Sequence, residues 1–298
     1  MTIRRRGILA LGALAVAGCA PGTEPPPTVP PSAGPPRASV PPAPTPAVSQ
    51  TPTPDPTPKP SPLVPGREEI AARFEGETPT QWGLEVEGVV LRHEQAPVVL
   101  TFDACGGPNG SGVDEDLLSM LTATGTPATL FINARWAGAN PGTLQSLIAD
   151  PLFEIANHGT RHLPLSVTGE EAYGIAGTAS VAEVYDEVAG AQELLTGLLG
   201  EPPRFFRSGT AHYDDVAVRV AEALGMQVVN FDINADAGAT FNAAQVHEST
   251  RQAMAGSICL GHFNRPGSGT AEGIRRAIAS LTDEGHTFAT LGQVLPAR

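Results

Sequence analysis

The chain has 298 residues and a formal net charge of −13 at pH 7. Such an acidic balance argues against a nucleic acid as partner, because phosphate backbones are bound by basic surfaces. The sequence contains neither GxGxxG nor GxxxxGK[ST], so nothing in it indicates a nucleotide site.

Residues 1–19 predict the signal peptide of an exported lipoprotein. A basic segment at 4–6 precedes an apolar run at 8–17, which is too short to span a membrane stably. The sequence VAGC at 16–19 then resembles a bacterial lipobox, in which Cys19 becomes the lipidated first residue. An ordinary cleaved signal peptide is the alternative. We therefore expect a protein anchored by lipid to the outer face of the cytoplasmic membrane or cell envelope.

Residues 20–66 predict a disordered, proline-rich linker, because they hold 19 of the 30 prolines of the chain. Proline-rich segments favour the extended polyproline II conformation and act as semi-rigid spacers. At ~3.1 Å per residue, an extended linker could hold a domain on the order of 100 Å from its anchor. Residues 67–298 remain, and they are sufficient for one domain with a full hydrophobic core.

From residue 97 onwards, apolar runs that predict buried strands alternate with amphipathic runs that predict helices. The predicted strands are, in chain order, Pro97–Phe102, Ala128–Ile132, Phe153–Ala156, Arg204–Phe206, Gln227–Phe231, Ser257–Leu260 and Thr287–Ala289. The predicted helices between them are Asp114–Thr124, Pro141–Ala149, Ser180–Leu199, Asp214–Leu224, Asn242–Met254 and Thr270–Leu281. Six or seven such βα units favour a parallel sheet closed, or nearly closed, into a barrel, with an open doubly wound sheet as the alternative.

Polar side chains follow five of these strands, at the edge where a parallel sheet gathers its functional groups. They are Asp103, Asn157, His158, His162, Arg207, Asp232, Asn234, Asp236 and His262. One or two polar strand ends are ordinary in any sheet. Polar residues at five strand ends of one sheet predict that they form one shared site.

His158 and His162 stand four residues apart, so a helical turn would place both imidazoles on one face. By itself this spacing is also common among solvated histidines. Beside a strand end, with carboxylates at neighbouring strand ends, it favours a divalent metal. Neutral imidazoles with an oxygen ligand suit Zn, with Co or Ni as alternatives.

The motifs at these strand ends resemble those of the polysaccharide deacetylases, the NodB homology domain of the carbohydrate esterases. The similarity spans roughly residues 95–295, and T-F-D-A-C at 101–105 is typical of one subgroup. The family motifs T-F-D-D, H-[ST]-x-x-H-P, R-x-P-Y and L-x-H correspond here to T-F-D-A at 101–104, H-G-T-R-H-L-P at 158–164, R-S-G-T at 207–210 and L-G-H at 260–262, and the aspartate motif falls at 232–236. The resemblance implies a distorted (β/α)7 barrel and metal-dependent N- or O-deacetylation of a carbohydrate.

The same resemblance implies a role for each matching residue. His158 and His162 would hold the metal, and Asp103 would be the general base that activates water.

In the same scheme, His262 would be the general acid for the leaving amine or alcohol. Arg207 would pair with Asp103 and keep it ionised, and either Asp232 or Asp236 would hold the His262 imidazole.

The chain departs from the family where a third metal ligand is expected, because Ala104 replaces the second aspartate of T-F-D-D. Three alternatives follow from the residues. Asp103 itself ligates the metal, Asp114 or Asp116 reaches in from the following segment, or the metal is bound weakly.

Other residues near the motifs leave further alternatives open. Thr210 stands at the family's tyrosine, and Tyr213 is close enough in sequence to replace it in part. Cys105 and Cys259 either pair in the exported protein or line the pocket. His212 and Asn264 are also expected to line the pocket.

The resemblance implies a carbohydrate polymer as partner, such as peptidoglycan, a chitin-like glycan or xylan. One alternative is a noncatalytic glycan-binding lipoprotein, and another is an amidohydrolase that acts on a different C–N substrate. The chain has only two tryptophans and three tyrosines, which counts against a dedicated sugar-binding surface.

Overall fold

The structure, a computed structural model, describes residues 65–296. The predicted signal peptide at 1–19, with Cys19, and residues 20–64 of the predicted linker lie outside the described residues. The described residues fall within one compact unit, Pro60–Arg298. Within residues 65–296, no helix has the length and apolar character needed to cross a bilayer.

Helices and parallel strands alternate through most of the domain. In chain order the elements are α1 (Arg67–Arg73), β1 (Trp82–Gly83), β2 (Val98–Ala104), α2 (Glu115–Thr124), β3 (Ala128–Ile132), α3 (Ala134–Ala139), α4 (Pro141–Ala149), β4 (Phe153–Asn157), β5 (Glu171–Ala172), β6 (Ile175–Ala176), α5 (Val181–Leu199), β7 (Phe205–Phe206), β8 (Tyr213–Asp214), α6 (Asp215–Ala223), β9 (Gln227–Val228), β10 (Ile233–Asn234), α7 (Ala243–Thr250), β11 (Ile258–His262), α8 (Thr270–Asp283), β12 (Phe288–Ala289) and α9 (Leu291–Val294).

The main sheet is parallel and has the order β10-β11-β2-β3-β4-β7-β9, with β12 paired to the start of β2. Its two ends are joined by the segment before β2. Val90 makes a bridge with Val229 after β9, and Arg92 makes a bridge with Ser257 before β11. The sheet therefore curls into a distorted barrel, which confirms the predicted fold class and excludes the open doubly wound sheet.

Strand β2 is part of the barrel wall, and its buried side chains point alternately outward to the helices and inward to the barrel interior. One group packs against the helices and includes Val98, Leu100, Phe102 and Ala104. Val99 packs on the opposite, inner side. Because successive side chains of a strand point to opposite faces, Asp103 shares the inner face with Val99. Ala104 points outward and is completely buried.

Two predicted elements exceed the observed ones by three residues or more. The predicted helix Asn242–Met254 ends at Thr250, since the chain turns there to reach Gly256 in the left-handed conformation at φ 81°. The predicted strand Gln227–Phe231 ends at Val228, because Val229 forms its bridge to Val90 instead of continuing the ladder. Helices α1 and α3 and the β5–β6 hairpin have no counterpart among the predicted elements.

Candidate active site

Arg207 is completely buried at the end of β7, with its guanidinium inside the barrel. Four of its N–H groups donate to interior oxygens. The acceptors are Thr101 Oγ1 at 2.9 Å, Asp103 Oδ1 at 2.8 Å, the Val229 carbonyl at 3.0 Å and the Asn230 carbonyl at 2.9 Å. The guanidinium carbon also lies 4.1 Å from the centre of the Phe131 ring. This buried cation is therefore paired and hydrogen-bonded, as a buried charge must be.

Asp103 is the anionic partner of this cation, and it is only 3% exposed. Burial alone would raise the pKa of Asp103, but neighbouring positive charges, that of Arg207 among them, outweigh it and lower the pKa below its usual value. Asp103 Oδ2 lies 3.5 Å from His158 Nε2. The carboxylate is thus ionised at neutral pH and has one oxygen free of the arginine. The predicted Arg207–Asp103 pair is present in the structure.

The His158 ring has a defined orientation. Its Nδ1 lies 2.9 Å from the carbonyl oxygen of Arg207, and because a carbonyl can only accept, Nδ1 carries the proton. Burial lowers the pKa of His158, so the ring is neutral at pH 7. The lone pair therefore belongs to Nε2, which faces Asp103 and Cys105. That is the tautomer a metal ligand requires.

The loop between the two histidines is held by a buried carboxylate from helix α5. Glu187 accepts hydrogen bonds from the backbone N–H groups of residues 161, 162 and 163. A Cβ at Gly159 would lie 2.5 Å from Glu187 Oε1, so only glycine leaves room for the carboxylate. The loop is consequently fixed by the helix behind it and does not form the helical turn expected from the spacing.

His162 completes the loop in the left-handed region, at φ 67°. This conformation is uncommon for a residue other than glycine and often marks a functional position. A Cβ at Gly209 would overlap His162, so a glycine at that position lets the two loops approach. The His162 Nε2 atom is buried and has no hydrogen-bond partner among the described residues. The rings of His158 and His162 lie 5.0 Å apart.

His262 ends strand β11 and stands in register with Asp103 of β2. Its Nδ1 lies 2.8 Å from Asp236 Oδ1, and its backbone N–H donates to Asp236 Oδ2. Burial disfavours the charged ring, but the Asp236 carboxylate outweighs burial and raises the pKa of His262 well above its usual value. His262 is therefore protonated at pH 7.

Asp232, the other aspartate expected to hold His262, is directed elsewhere. Its carboxylate pairs with Arg92 and accepts hydrogen bonds from Ser257 Oγ and the Ile258 backbone N–H. It therefore fastens the segment that joins the two ends of the sheet. The choice between the two aspartates is resolved in favour of Asp236, and the alternative assignment to Asp232 is wrong.

Cys105 follows Ala104 and lines the same pocket as Asp103 and His262. Its Sγ lies 3.9 Å from His158 Nε2. Burial would raise the pKa of the thiol, but the neighbouring imidazoles of His162 and His262 outweigh burial and lower the pKa to about 7. Sequence reasoning did not assign this residue to the metal site, although the strand alternation from Asp103 would have placed it on the inner face.

The side chains available to a metal differ from the expected set. Within residues 65–296, Cys105, His158 and His162 form a group of three whose ligand atoms all lie within 4.8 Å of one another. Asp103 does not belong to this group. The lone pair of His158 and the unpartnered Nε2 of His162 both fit a metal bound at this point.

Asp114 and Asp116, the other carboxylates considered as a third ligand, belong to the start of helix α2. Asp114 caps helix α2 by accepting the backbone N–H of Leu117 at 3.1 Å, and Asp116 is exposed on that helix. Neither belongs to the three-residue group. Cys105 and Cys259 are both free thiols, and Cys259 packs on the outer side of the sheet against the helices. The expected Cys105–Cys259 disulfide is therefore wrong. An aspartate ligand from this segment finds no support among the described residues.

Tyr213 supports the turn that follows Arg207. It is completely buried, and its hydroxyl accepts the Ser208 backbone N–H at 2.9 Å and donates to Asn230 Oδ1 at 3.0 Å. Thr210 and Asn264 line the pocket, and Asn264 is anchored by donating to the Gly110 carbonyl. The ring of Tyr213 therefore positions this turn from beneath rather than from within the pocket.

The pocket has a volume of about 650 Å³ and is open to solvent. Tyr173, at the turn of the β5–β6 hairpin, lines it and is 77% exposed. The Tyr173 ring packs edge-on against His212, which in turn contacts Trp82. Tyr173 on the pocket rim thus belongs to a small cluster of three rings. His212 itself is not among the residues that line the pocket, contrary to expectation.

Comparison with known proteins identifies relatives of this domain. Residues 91–229 match the family model described as polysaccharide deacetylase. A chitooligosaccharide deacetylase from Bradyrhizobium sp. (strain ANU 289) is 26% identical over 202 residues, which are 67% of this chain and 83% of that protein. A family 4 carbohydrate esterase from Streptomyces lividans, solved in complex with acetate, superposes with a TM-score of 0.53 at 25% identity over 65% of this chain and 92% of its own.

A further solved structure shares the fold alone. It is a CE4 family pseudoenzyme from Bacillus anthracis, which superposes with a TM-score of 0.58 at 19% identity over 72% of this chain and 70% of its own.

Substitution of Glu187 tests whether its buried carboxylate holds the histidine loop in place. Glu187→Gln removes the charge and one of the two acceptor oxygens that bind three N–H groups. We expect the free energy of unfolding to fall by about 1–3 kcal/mol and the amides of residues 161–163 to exchange faster with solvent. Denaturant unfolding and hydrogen exchange measure these changes. Glu193→Gln, at an exposed position of helix α5, is the control and should change stability by less than about 0.5 kcal/mol. Unchanged amide protection in Glu187→Gln contradicts this role.

Proposed function

The domain belongs to the polysaccharide deacetylase family, and we propose on that basis that it hydrolyses acetyl groups from a carbohydrate with the help of a divalent metal. One observation carries the proposal. An ionised carboxylate, Asp103, and a protonated imidazole, His262, stand at neighbouring strand ends and line one pocket. Hydrolysis of an amide or ester needs a base and an acid of this kind at the same pH.

Asp103 is suited to act as the base. Arg207 holds Oδ1, so Oδ2 is left to accept a proton from water. Because neighbouring positive charges, that of the guanidinium among them, hold the pKa of Asp103 below its usual value, the carboxylate is ionised at neutral pH. The arginine also prevents the carboxylate from turning away.

His262 is suited to act as the acid that protonates the leaving amine or alcohol. Its Nδ1 is engaged with Asp236, and this leaves the Nε2–H for the leaving group. The fully buried Asp236 carboxylate also accepts a hydrogen bond from Thr270 Oγ1, so its orientation is fixed. This geometry supports proton donation from one defined atom.

His158 and His162 are the proposed histidine ligands of the metal. A divalent ion bound to them would act as a Lewis acid on the acetyl carbonyl and lower the pKa of a bound water. Two imidazoles suit Zn, with Co or Ni as alternatives. The orientation of His158 and the unpartnered Nε2 of His162 support this proposal.

The proposed substrate is an acetylated carbohydrate polymer such as peptidoglycan, a chitin-like glycan or xylan. The chitooligosaccharide deacetylase relative favours an N-acetylated glycan. Tyr173 on the pocket rim offers an exposed aromatic face of the kind on which a sugar ring packs. This exposed ring weakens the objection that the chain is poor in aromatic residues, because it stands where a glycan would enter.

We also propose export and a lipid anchor at Cys19, from the basic and apolar segments that precede that residue. Expression of the full chain in a bacterium that processes lipoproteins tests this proposal. The wild type should fractionate with membranes and incorporate labelled palmitate, whereas Cys19→Ala should do neither. Equal palmitate incorporation by the two proteins contradicts the anchor.

Removal of the acid or the base tests the reaction itself. Asp103→Asn and His262→Ala should each lower turnover by ~10²–10⁴-fold, the usual contribution of general acid–base catalysis. The assay is acetate release by the metal-loaded protein from N-acetylated chitooligosaccharides, peptidoglycan and acetylated xylan.

A matched control and two contrary outcomes accompany this assay. Glu193→Gln should release acetate at the wild-type rate, since that side chain is exposed and lies outside the pocket. Absence of acetate release by the wild type on every substrate favours a noncatalytic glycan-binding protein. If the His262→Ala variant keeps full turnover, His262 is not the general acid.

Substitution of Asp236 and substitution of Asp232 should have different effects on the pH dependence of kcat/KM. Asp236 raises the pKa of His262, so the acid stays protonated at higher pH than a free imidazole would. Asp236→Asn removes that charge and should move the alkaline limb of kcat/KM to lower pH. Asp232→Asn is the control, because Asp232 contacts Arg92 rather than His262 and should affect only stability. An alkaline limb that stays in place in Asp236→Asn, or moves equally in both variants, contradicts the assignment.

A further inference from the structure

We propose that the thiolate of Cys105 is the third protein ligand of the metal and replaces the carboxylate that is missing at Ala104. The proposal rests on the metal-assisted function above and concerns only this chain's own ligand set. It predicts a site with one sulfur and two imidazole nitrogens, and three protein ligands leave a fourth position open at a tetrahedral metal.

The position of Cys105 follows from the geometry of strand β2. Thr101 and Asp103 both face the barrel interior, where both accept hydrogen bonds from Arg207. Ala104 faces the opposite way, into the packed layer between sheet and helices. Cys105, two residues after Asp103, returns to the inner side and lines the pocket.

The distances around Cys105 support ligation. Its Sγ is 3.9 Å from His158 Nε2, and the ligand atoms of Cys105, His158 and His162 all lie within 4.8 Å of one another. Among residues 65–296, His162 Nε2 is buried without a hydrogen-bond partner, which is a costly arrangement unless something binds it. A metal ion at the centre of the three atoms removes that cost.

Other uses of the same groups fit less well. Asp103 already gives Oδ1 to Arg207 and stands outside the three-residue group. Cys259 packs on the outer side of the sheet and cannot reach Cys105. A thiolate nucleophile assisted by His262 is the remaining rival, and it would leave the two other histidines without a role.

A sulfur ligand has two chemical consequences. Thiolate favours zinc and cobalt over magnesium, calcium or manganese, so the site should discriminate between these ions. Hydrogen peroxide would oxidise the Cys105 thiolate by transferring one oxygen atom to the sulfur and releasing hydroxide, and the resulting sulfenic acid would no longer hold the metal.

Cobalt substitution of the purified full-length protein tests the ligand directly. Cobalt(II) bound to a thiolate gives an intense charge-transfer band in the near ultraviolet, whereas cobalt bound to nitrogen and oxygen alone does not. We expect this band in the wild type and in Cys259→Ala, the matched cysteine control. Cys105→Ala should lose the band and bind zinc more weakly by more than ~100-fold, the upper range for loss of a mere outer partner.

A second measurement covers the case in which Cys105→Ala fails to fold. Zinc added to the wild type should protect Cys105 from alkylation by iodoacetamide, as read by mass spectrometry. Alkylation that is equally fast with and without zinc overturns the proposal, and so does a charge-transfer band that persists in folded Cys105→Ala. If Cys105→Ala binds metal normally but loses all acetate release, the thiol is a nucleophile instead.

These outcomes remain distinct from a failure of the proposed function. If the wild type releases acetate without a sulfur–cobalt band, the function stands and only the ligand assignment is wrong. If the wild type shows the band but releases no acetate from any substrate, the ligand assignment stands and the deacetylase function is wrong.

Discussion

The buried guanidinium of Arg207 is the constraint on which the site depends. A cation inside the barrel costs several kcal/mol unless it is paired and hydrogen-bonded, so the oxygens around it must stay where they are. Its side chain holds Asp103 ionised. Its backbone carbonyl accepts the proton of His158 Nδ1 and so directs Nε2 towards the pocket. One residue therefore sets both the charge of the base and the orientation of a metal ligand.

A second consequence is that the pKa values of two neighbouring titratable groups, Asp103 and His262, are pushed in opposite directions. Asp103 has an arginine partner that lowers its pKa, and His262 has an aspartate partner that raises its own. Arg207 and Asp236 are both buried, and neither of them lines the pocket. Environments that push two pKa values apart are typical of acid–base catalysis, and simple binding of a neutral sugar does not require them. This separation is the strongest physical reason to regard the domain as an enzyme.

The barrel and most of the site were predictable, because long buried strands have a strong apolar pattern and their polar ends must converge. Asp103, Arg207 and the acid at the end of β11 were found in this way. Asp236 could not be chosen over its neighbour four residues away, since irregular loops have no period from which a side-chain direction follows. The inward position of Cys105 was predictable from strand alternation, because it follows Asp103 by two residues. Tyr173 lies on a hairpin of two-residue strands, too short to leave a pattern.

The most direct test of the account is to follow both titrating groups in one sample. Carbon-13 NMR of labelled aspartate and histidine reports the Asp103 carboxyl and the His262 ring as a function of pH, with Asp103→Asn and His262→Gln for assignment. The account predicts that Asp103 is fully ionised while His262 is still protonated, across the neutral range and above the ordinary histidine value of about 6.5. A neutral His262 at pH 7, or a protonated Asp103 at that pH, would contradict it.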